Sequence, residues 1–577
     1  MKLKKYFIVS TYKELNYKAG SNLVFLDEFI YHLYDKNSLK KYNCFKKNDI
    51  KYTENFLYKD SKFLENKVSA YKKQLTKVFN EIHNTKYSEN YWGLIIHYWI
   101  YHLVLVLRYK YINLKKIREK YKKNLYINYT KFNSIFFSTQ TWRIESLDNH
   151  ELHHYLCAII GKELGIEVIK KNKKEILLET YKSKISVGDY FLNSIIFLFR
   201  SYVHLFKPTT IIDGYFGKKN SFFIFLKSFG KVIFLPSKLF FYKRKYNFKI
   251  NHSLRRKIKV KEKDKFDKIF NKIVGEFTPT TLVESYNLIK NENKNLSGKI
   301  DKIGSGIGIL QNENFKIIAA HILLKKKSKL LIFQHGGAAS INQKYSFIRD
   351  KIEDKYCNKN YYWSNKKGLG QHYFSKLDKI DNFNLKKNKR ILIVKNIERF
   401  YMDPGGLDKS RHLTLNCNYD FFNNLSSECK SNTFVKFFPW RSSNLSKKFL
   451  ISKFGKKINF LDIYSSKEEY YRSKLLIIDT ISTAFYEALY IGIPFILIYD
   501  VNLNKFQNDF KQKLKELKKL NIIHSSAKSA AFFVNKNYNN LFDWWNFVEN
   551  NKKFKKIKKN IINYKPDYIT KIAHELK

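Results

Sequence analysis

Two short blocks hold the side chains best suited to chemistry: Gln334-His335-Gly336-Gly337 and Asp479-Thr480-Ile481-Ser482-Thr483. Histidine is the side chain whose ordinary pKa best fits a general base near neutral pH. His335 ends a run of apolar residues, so a strand would deliver it to the sheet's carboxyl edge. Gly336 and Gly337 would then let backbone N–H groups approach an acceptor or phosphate closely. A histidine satisfied structurally beside a tight turn fits the same stretch. In the second block, Thr480, Ser482 and Thr483 crowd the junction between an apolar strand ending at Asp479 and a helical pattern. Hydroxyls and free N–H groups at a helix N-terminus suit a phosphate, and the same residues serve as plain N-caps elsewhere. Glu487, one turn further on, is placed either to accept ribose hydroxyls or to face solvent.

Arginine is scarce, which draws attention to Arg399 and Arg441, each just after an apolar run in the second half. Either would neutralise a departing diphosphate, and a surface ion pair would use them equally well. The stretch GSGIG at 304–308 lacks the G-x-G-x-x-G spacing that opens a dinucleotide-binding helix, so NAD binding is not inferred. There is no D-x-D, H-E-x-x-H, P-loop or G-x-S-x-G motif. His153 and His154 are adjacent, about 100° apart on a helix, and cannot chelate one metal together. Neither a metal nor a resident cofactor is therefore expected.

The elements that must position these residues follow from length and pattern. At 577 residues the chain exceeds one hydrophobic core. Apolar runs near 208–216, 231–236, 299–308 and 328–335 alternate with helical patterns, and the alternation restarts at 389–396, 431–440, 457–462, 473–480 and 494–500. That pattern predicts parallel, doubly wound sheets. The expected class is α/β, with two Rossmann-like domains facing a cleft and extra helices near the N-terminus. Residues 1–380 would form the acceptor-side domain, with a helical insertion at about 50–185. Residues 386–577 would form the donor-binding domain with terminal helices, and 377–389 would link the two. Ligands of such sheets bind beyond the carboxyl ends of the strands.

The net charge of +59 suggests nucleic acid at first sight. Only 13 of the 109 basic residues are arginine, however, and the lysines are spread along the whole chain. Lysine, asparagine, isoleucine, tyrosine and phenylalanine are overused together, as A/T-rich codons would produce. A nucleic-acid reader would favour arginine and gather charge on one face, so no nucleic-acid partner is expected. Attraction to an anionic membrane surface stays open. Cys44, Cys157, Cys357, Cys417 and Cys429 are scattered without a C-x-x-C pair, as in a cytoplasmic protein with reduced thiols. The apolar stretch 91–111 is near the lower length for a membrane span and carries His97 and His102, so a buried helix is expected there. The basic run 255–268 reads as a solvated helix or loop.

These blocks together resemble the LIC-type transferases of bacterial surface-carbohydrate (O-antigen) biosynthesis clusters. More distantly they resemble CDP-glycerol glycerophosphotransferases and related enzymes of GT-B architecture. The resemblance spans most of the chain and is most specific at QHGG and at D-T-x-S-T-x-x-x-E-A-L. It implies a cytoplasmic transferase, metal-independent, peripheral at most on the plasma membrane's inner face. A nucleotide-activated sugar or polyol would be the donor and a glycan or lipid-linked molecule the acceptor. The His-Gly turn of the glycerophosphotransferases supplies a catalytic base, a role that carries onto His335. Where such families place a histidine after a proline, this chain has Pro439-Trp440-Arg441. A non-catalytic scaffold and a nucleotide-sugar epimerase of the same fold are the alternatives.

Overall fold

Short runs of β-branched and aromatic residues, buried on both faces, favour parallel sheets covered by helices. Thr209–Ile212 and Phe495–Ile498 are buried at every position. The computed structural model describes residues 4–577 apart from 12–16, 27–29, 32–33, 35, 46–59, 123, 130–131, 133–134, 171–200, 203–204, 236–248, 338–351, 364–368, 370–371, 381, 396–400, 402–409, 439–446, 449, 452–457, 464–466, 480, 499–507, 563–564 and 566.

Three parallel sheets are present where two were expected. The first combines β1 (Tyr6–Val9), β2 (Asn22–Phe25) and β3 (Asn43–Phe45) with two strands from further along the chain. Helices α1 (Ser61–His83) and α2 (Glu89–Tyr121) precede β4 (Leu125–Tyr129). Helices α3 (Thr139–Asp148) and α4 (His150–Glu163) precede β5 (Glu167–Lys170). The strand order is β3-β2-β1-β4-β5. The stretch expected as a purely helical insertion thus supplies two strands. Strands of three to five residues beside helices of 23 and 33 residues leave little periodicity to read.

The second sheet contains β6 (Thr209–Ile212), followed by helix α5 (Lys218–Lys227), β7 (Val232–Leu235) and β8 (Lys302–Ser305). Helix α6 (Glu313–Ile322) leads to β9 (Lys329–Phe333) and β10 (Lys359–Tyr361), in the order β10-β9-β8-β6-β7. The third holds β11 (Arg390–Val394), β12 (Thr433–Phe437), β13 (Asn459–Asp462) and β14 (Ser473–Ile478). Helix α7 (Thr483–Ile491) then leads to β15 (Phe495–Ile498) and β16 (Ile523–His524). Its order is β13-β12-β11-β14-β15-β16. The apolar runs read from the sequence in both of these sheets form strands at the expected places.

Residues 91–107 of α2 are all buried, so the candidate span is an internal helix. Among the described residues no helix is long and apolar enough to cross a membrane. The basic run 255–268 exposes its lysines and Arg256, as expected of a solvated helix and loop, and Arg255 is the exception. Arg255 is buried and pairs with Glu284 at 2.7 Å, because its guanidinium also donates to the carbonyls of Gly275, Glu276 and Thr278. Leu377 and Leu385, in the stretch expected as a linker, are buried in the core under the third sheet. Trp545 Nε1 donates to the Gly492 carbonyl at 2.8 Å, anchoring the terminal helices as expected. The last helix, α8 (Tyr568–Leu576), instead returns to the second sheet, where Thr209 Oγ1 donates to the Leu576 carbonyl at 2.7 Å.

The first and second sheets are joined by a buried polar cluster at the start of α3. Glu313 accepts the Thr139 N–H at 3.1 Å, and Lys316 lies 3.4 Å from the same carboxylate oxygen. Lys316 and Glu313 are 0% and 4% exposed. Glu313→Ala would leave that ammonium buried without its counter-ion, and the expected loss is about 3–5 kcal/mol. Chemical denaturation checks it; a loss under about 1 kcal/mol would show that the pair contributes little.

Candidate functional site

The strand registers collect the predicted residues at two sheet edges. Phe333 pairs with Tyr361 and Ser305 with Ile332, so Gly306 and Gln334 leave the second sheet on one side. In the third sheet Val394 pairs with both Lys436 and Ile478, which brings Lys395, Lys436 and Asp479 to a common edge.

The turn after β9 is held by its own first residue. Gln334 Nε2 donates to the Gly336 carbonyl at 2.7 Å, and Gln334 Oε1 accepts the Trp363 N–H at 2.8 Å. Trp363 Nε1 closes the arrangement on the Gln334 carbonyl at 3.0 Å. His335 is partly buried, and its Nδ1 lies 2.8 Å from the Gly306 carbonyl. A carbonyl only accepts, so Nδ1 carries the proton and Nε2 keeps the lone pair. Burial lowers the imidazole pKa to about 4; the Gly306 bond opposes this and the Arg143 guanidinium on α3 adds to it. The ring is therefore neutral at pH 7, with Nε2 able to accept a proton.

Gly306 has to be glycine, because a Cβ there would lie 2.5 Å from the Tyr215 ring and 2.9 Å from the Asp213 carbonyl. Tyr215 has a φ of +61° and stacks toward His335 at 6.3 Å between centroids. A left-handed backbone in a bulky residue is costly and clusters at functional sites.

Gly337 meets the second block. Its N–H donates to Thr483 Oγ1 over a long 3.4 Å, and a Cβ at this position would lie 2.6 Å from Tyr486 Cε2 and 3.0 Å from the Ser482 carbonyl. The two blocks read separately in the sequence, 146 residues apart, are thus in direct contact. Ser482 is the N-cap of α7, yet its side chain makes no capping bond. The plain N-cap reading of this serine does not hold, and the end of the helix keeps its positive partial charge facing the turn.

Asp479 is committed elsewhere. Its Oδ2 accepts from Lys395 at 2.6 Å and from Asn418 at 3.2 Å, and the Lys395 and Asp479 side chains are 1% and 3% exposed. This carboxylate ties β11 to β14 rather than facing a phosphate, which its charge would repel. Glu487 accepts the hydroxyls of Tyr373 at 2.5 Å and Tyr470 at 3.1 Å. Burial raises its pKa, opposed by those two hydroxyls and by the nearby Lys376 and Lys436. Thr480, Arg399 and Arg441 lie outside the described residues.

The sequence reading gave Gln334 no role of its own and overlooked Tyr215, Tyr373 and Lys436. Lys436 carried a signal, as a lysine inside the apolar strand TFVKF. It is 3% exposed, and burial lowers its pKa while Glu487 raises it. No ion pair or side-chain hydrogen bond to its ammonium is found among the described residues. Among those residues no cluster of three or more His, Cys, Asp or Glu side chains could hold a metal.

A family model described as LIC12162 family transferase matches residues 6–576. Among solved structures, the chain is similar to a protein from Listeria monocytogenes assigned as a UDP-N-acetylglucosamine 2-epimerase. The two are 9% identical, the match covers 63% of this chain and 94% of that one, and the TM-score is 0.34. No curated protein matches.

Gly337→Ala should cost about 1–3 kcal/mol by overpacking, and Tyr486→Leu in the same chain should recover part of it. Thermal unfolding of both variants tests this; an unaffected single variant would mean that the turn does not depend on this contact. Acid titration gives a second test. The folded pKa of His335 is about 4 against an ordinary 6.5, so the unfolded chain takes up the proton first. Stability is intact above pH 6.5 and falls as the pH drops toward 4. At about 1.4 kcal/mol per pKa unit, His335 alone accounts for roughly 3 kcal/mol. Denaturation of His335→Gln across that range should show a shallower acid loss than wild type. An identical slope would place the ring in a more solvated setting.

Proposed function

The chain belongs to the LIC12162 family of transferases, and on that premise we propose a specific reaction for it. A group is moved from a nucleotide-activated sugar or polyol donor to a hydroxyl of a glycan or lipid-linked acceptor. The setting is surface-polysaccharide (O-antigen) assembly on the cytoplasmic side, with peripheral contact to the membrane's inner face. The second and third sheets act as acceptor and donor sides of a GT-B-like cleft. The observation that supports the reading is the contact of the QHGG turn with the start of α7 through Gly337 and Thr483, two residues after the neutral His335.

In this reading His335 Nε2 takes the proton of the acceptor hydroxyl. The acceptor oxygen bonds to the transferred group as that group's bond to the nucleotide's phosphate oxygen breaks. The departing phosphate keeps the electron pair and is stabilised by the helix N-terminus with Ser482, Thr483 and Thr480, by the N–H of Gly336, and by Arg399 or Arg441, while the Gly337 N–H orients the Thr483 hydroxyl. Lys436 joins this set as a buried cation with no ion pair among the described residues. These groups supply the electrostatic stabilisation that a metal supplies in other transferases, and the reading needs no metal or resident cofactor. Glu487 is left to orient Tyr373 or to accept a ribose hydroxyl.

His335→Ala should reduce kcat by about 10²–10⁴-fold, measured as acceptor-dependent release of nucleotide. Wild-type turnover would overturn the base assignment. Consumption of donor without acceptor would point to an epimerase instead. Lys436→Met and a Ser482→Ala/Thr483→Ala double variant should each weaken binding of inorganic pyrophosphate about tenfold or more, since a hydrogen bond to a charged group contributes about 1.5–3 kcal/mol. Unchanged calorimetric affinity in both would overturn the phosphate assignment. Loss in the double variant alone would remove only Lys436 from it.

A further inference from the structure

Large apolar side chains are unevenly distributed over the surface. Of the 14 described as exposed, six fall between residues 205 and 229: Leu205, Phe206, Phe222, Phe223, Leu226 and Phe229, at 72%, 62%, 59%, 38%, 49% and 82% exposure. They belong to one patch. The Tyr202 ring lies 4.8 Å from Phe206 and 6.4 Å from Phe225, and its hydroxyl donates to the Gly230 carbonyl at 2.7 Å. The segment before β6 is therefore packed beside α5 and the turn that follows it.

Helix α5 explains the exposure. Asn220 and Ile224 are its buried positions. At 100° per residue, Phe222, Phe223 and Leu226 fall on the opposite side, with Lys218 and Lys219 among them. An apolar patch this concentrated marks an interaction site.

The charge around the patch selects its occupant. Lys207, Lys218, Lys219, Lys227 and Lys231 are all exposed at its rim, and the Lys577 ammonium sits 5.1 Å over the Phe229 ring. From 201 to 231 the one acidic residue is Asp213, which is only partly exposed. On α8, packed against α5, Glu575 is paired with Lys359 and Asp567 with Lys571. Two copies of this chain would bring like-charged rims together, which disfavours self-association. Aromatic and leucine side chains ringed by lysine are the composition of an interfacial membrane contact.

We infer that the face formed by residues 205–206 and 218–229 docks on an anionic lipid surface, its rings entering the headgroup boundary and its lysines meeting lipid phosphates. The inference gives a place to the membrane contact in the proposed function, and it stands independently of His335 and the donor site.

Co-sedimentation of the full chain with vesicles tests it, comparing phosphatidylcholine mixed with phosphatidylserine against phosphatidylcholine alone. The wild type should bind the anionic vesicles, and Phe222→Glu/Phe229→Glu should reduce the partition about tenfold or more. Phe532→Glu, at an apolar side chain 69% exposed outside the patch, should leave it unchanged. Both patch positions are exposed, so circular dichroism should show the double variant folded. Four results would overturn the inference: no binding to anionic vesicles, equal binding by the double variant, an equal loss in Phe532→Glu, or a wild-type dimer that the double variant dissociates without altering vesicle binding. The His335→Ala kinetics are read in solution, so failure here and failure of the transferase reading are separate outcomes.

Discussion

The arrangement of the site depends on one close approach. A turn leaving the second sheet comes against the first turn of a helix leaving the third, and it does so where Gly337 has no side chain to keep them apart. Tyr486 is buried beneath it and packs 5.3 Å from Trp363, which in turn holds Gln334 by two hydrogen bonds. Gln334, His335, Gly337, Thr483 and Tyr486 are thus parts of one packed unit. Close-packed interiors transmit small displacements, so the histidine is placed by contacts several residues away from its own ring.

Burial decides the electrostatics of this unit. In a poorly solvated setting the charged form of any group is disfavoured, and the groups here respond according to their partners. His335 loses its proton and keeps a defined tautomer, because one ring nitrogen is tied to the Gly306 carbonyl. Glu487 is offered two tyrosine hydroxyls. Asp479 is neutralised by Lys395. Lys436 feels the field of Glu487 without an ion pair among the described residues, a setting that an anion would suit.

The remainder of the chain steadies these edges from outside. Helix α3 carries Arg143 toward His335, and its start is held by Glu313 of α6. Tyr401, seven residues past the end of β11, donates its N–H to the Leu147 carbonyl at 3.2 Å. Its ring stacks 3.4 Å from that of His153. These contacts join the helices of the first sheet to the third. The returning α8 joins the third sheet's terminal helices to the second. The three sheets are thereby braced against one another at points far apart in sequence.

What the sequence by itself determined was local. Apolar runs marked the strands of the second and third sheets, and QHGG and DTISTAFYE marked residues of unusual type at strand ends. Such signals need only a few neighbouring residues, because periodicity and turn chemistry act over short distances. The opening run at residues 6–10 also marked β1, whereas β2 to β5 escaped, being too short to establish a period. Only the tertiary structure decided that Gly337 meets Thr483, that Asp479 spends its charge on Lys395, and that Lys436 is buried near the end of β12. It also decided that Arg255, inside a basic run, is an interior residue. Those outcomes depend on contacts between segments about 30 to 150 residues apart, and pairing at that range is set by packing and solvation rather than by local pattern.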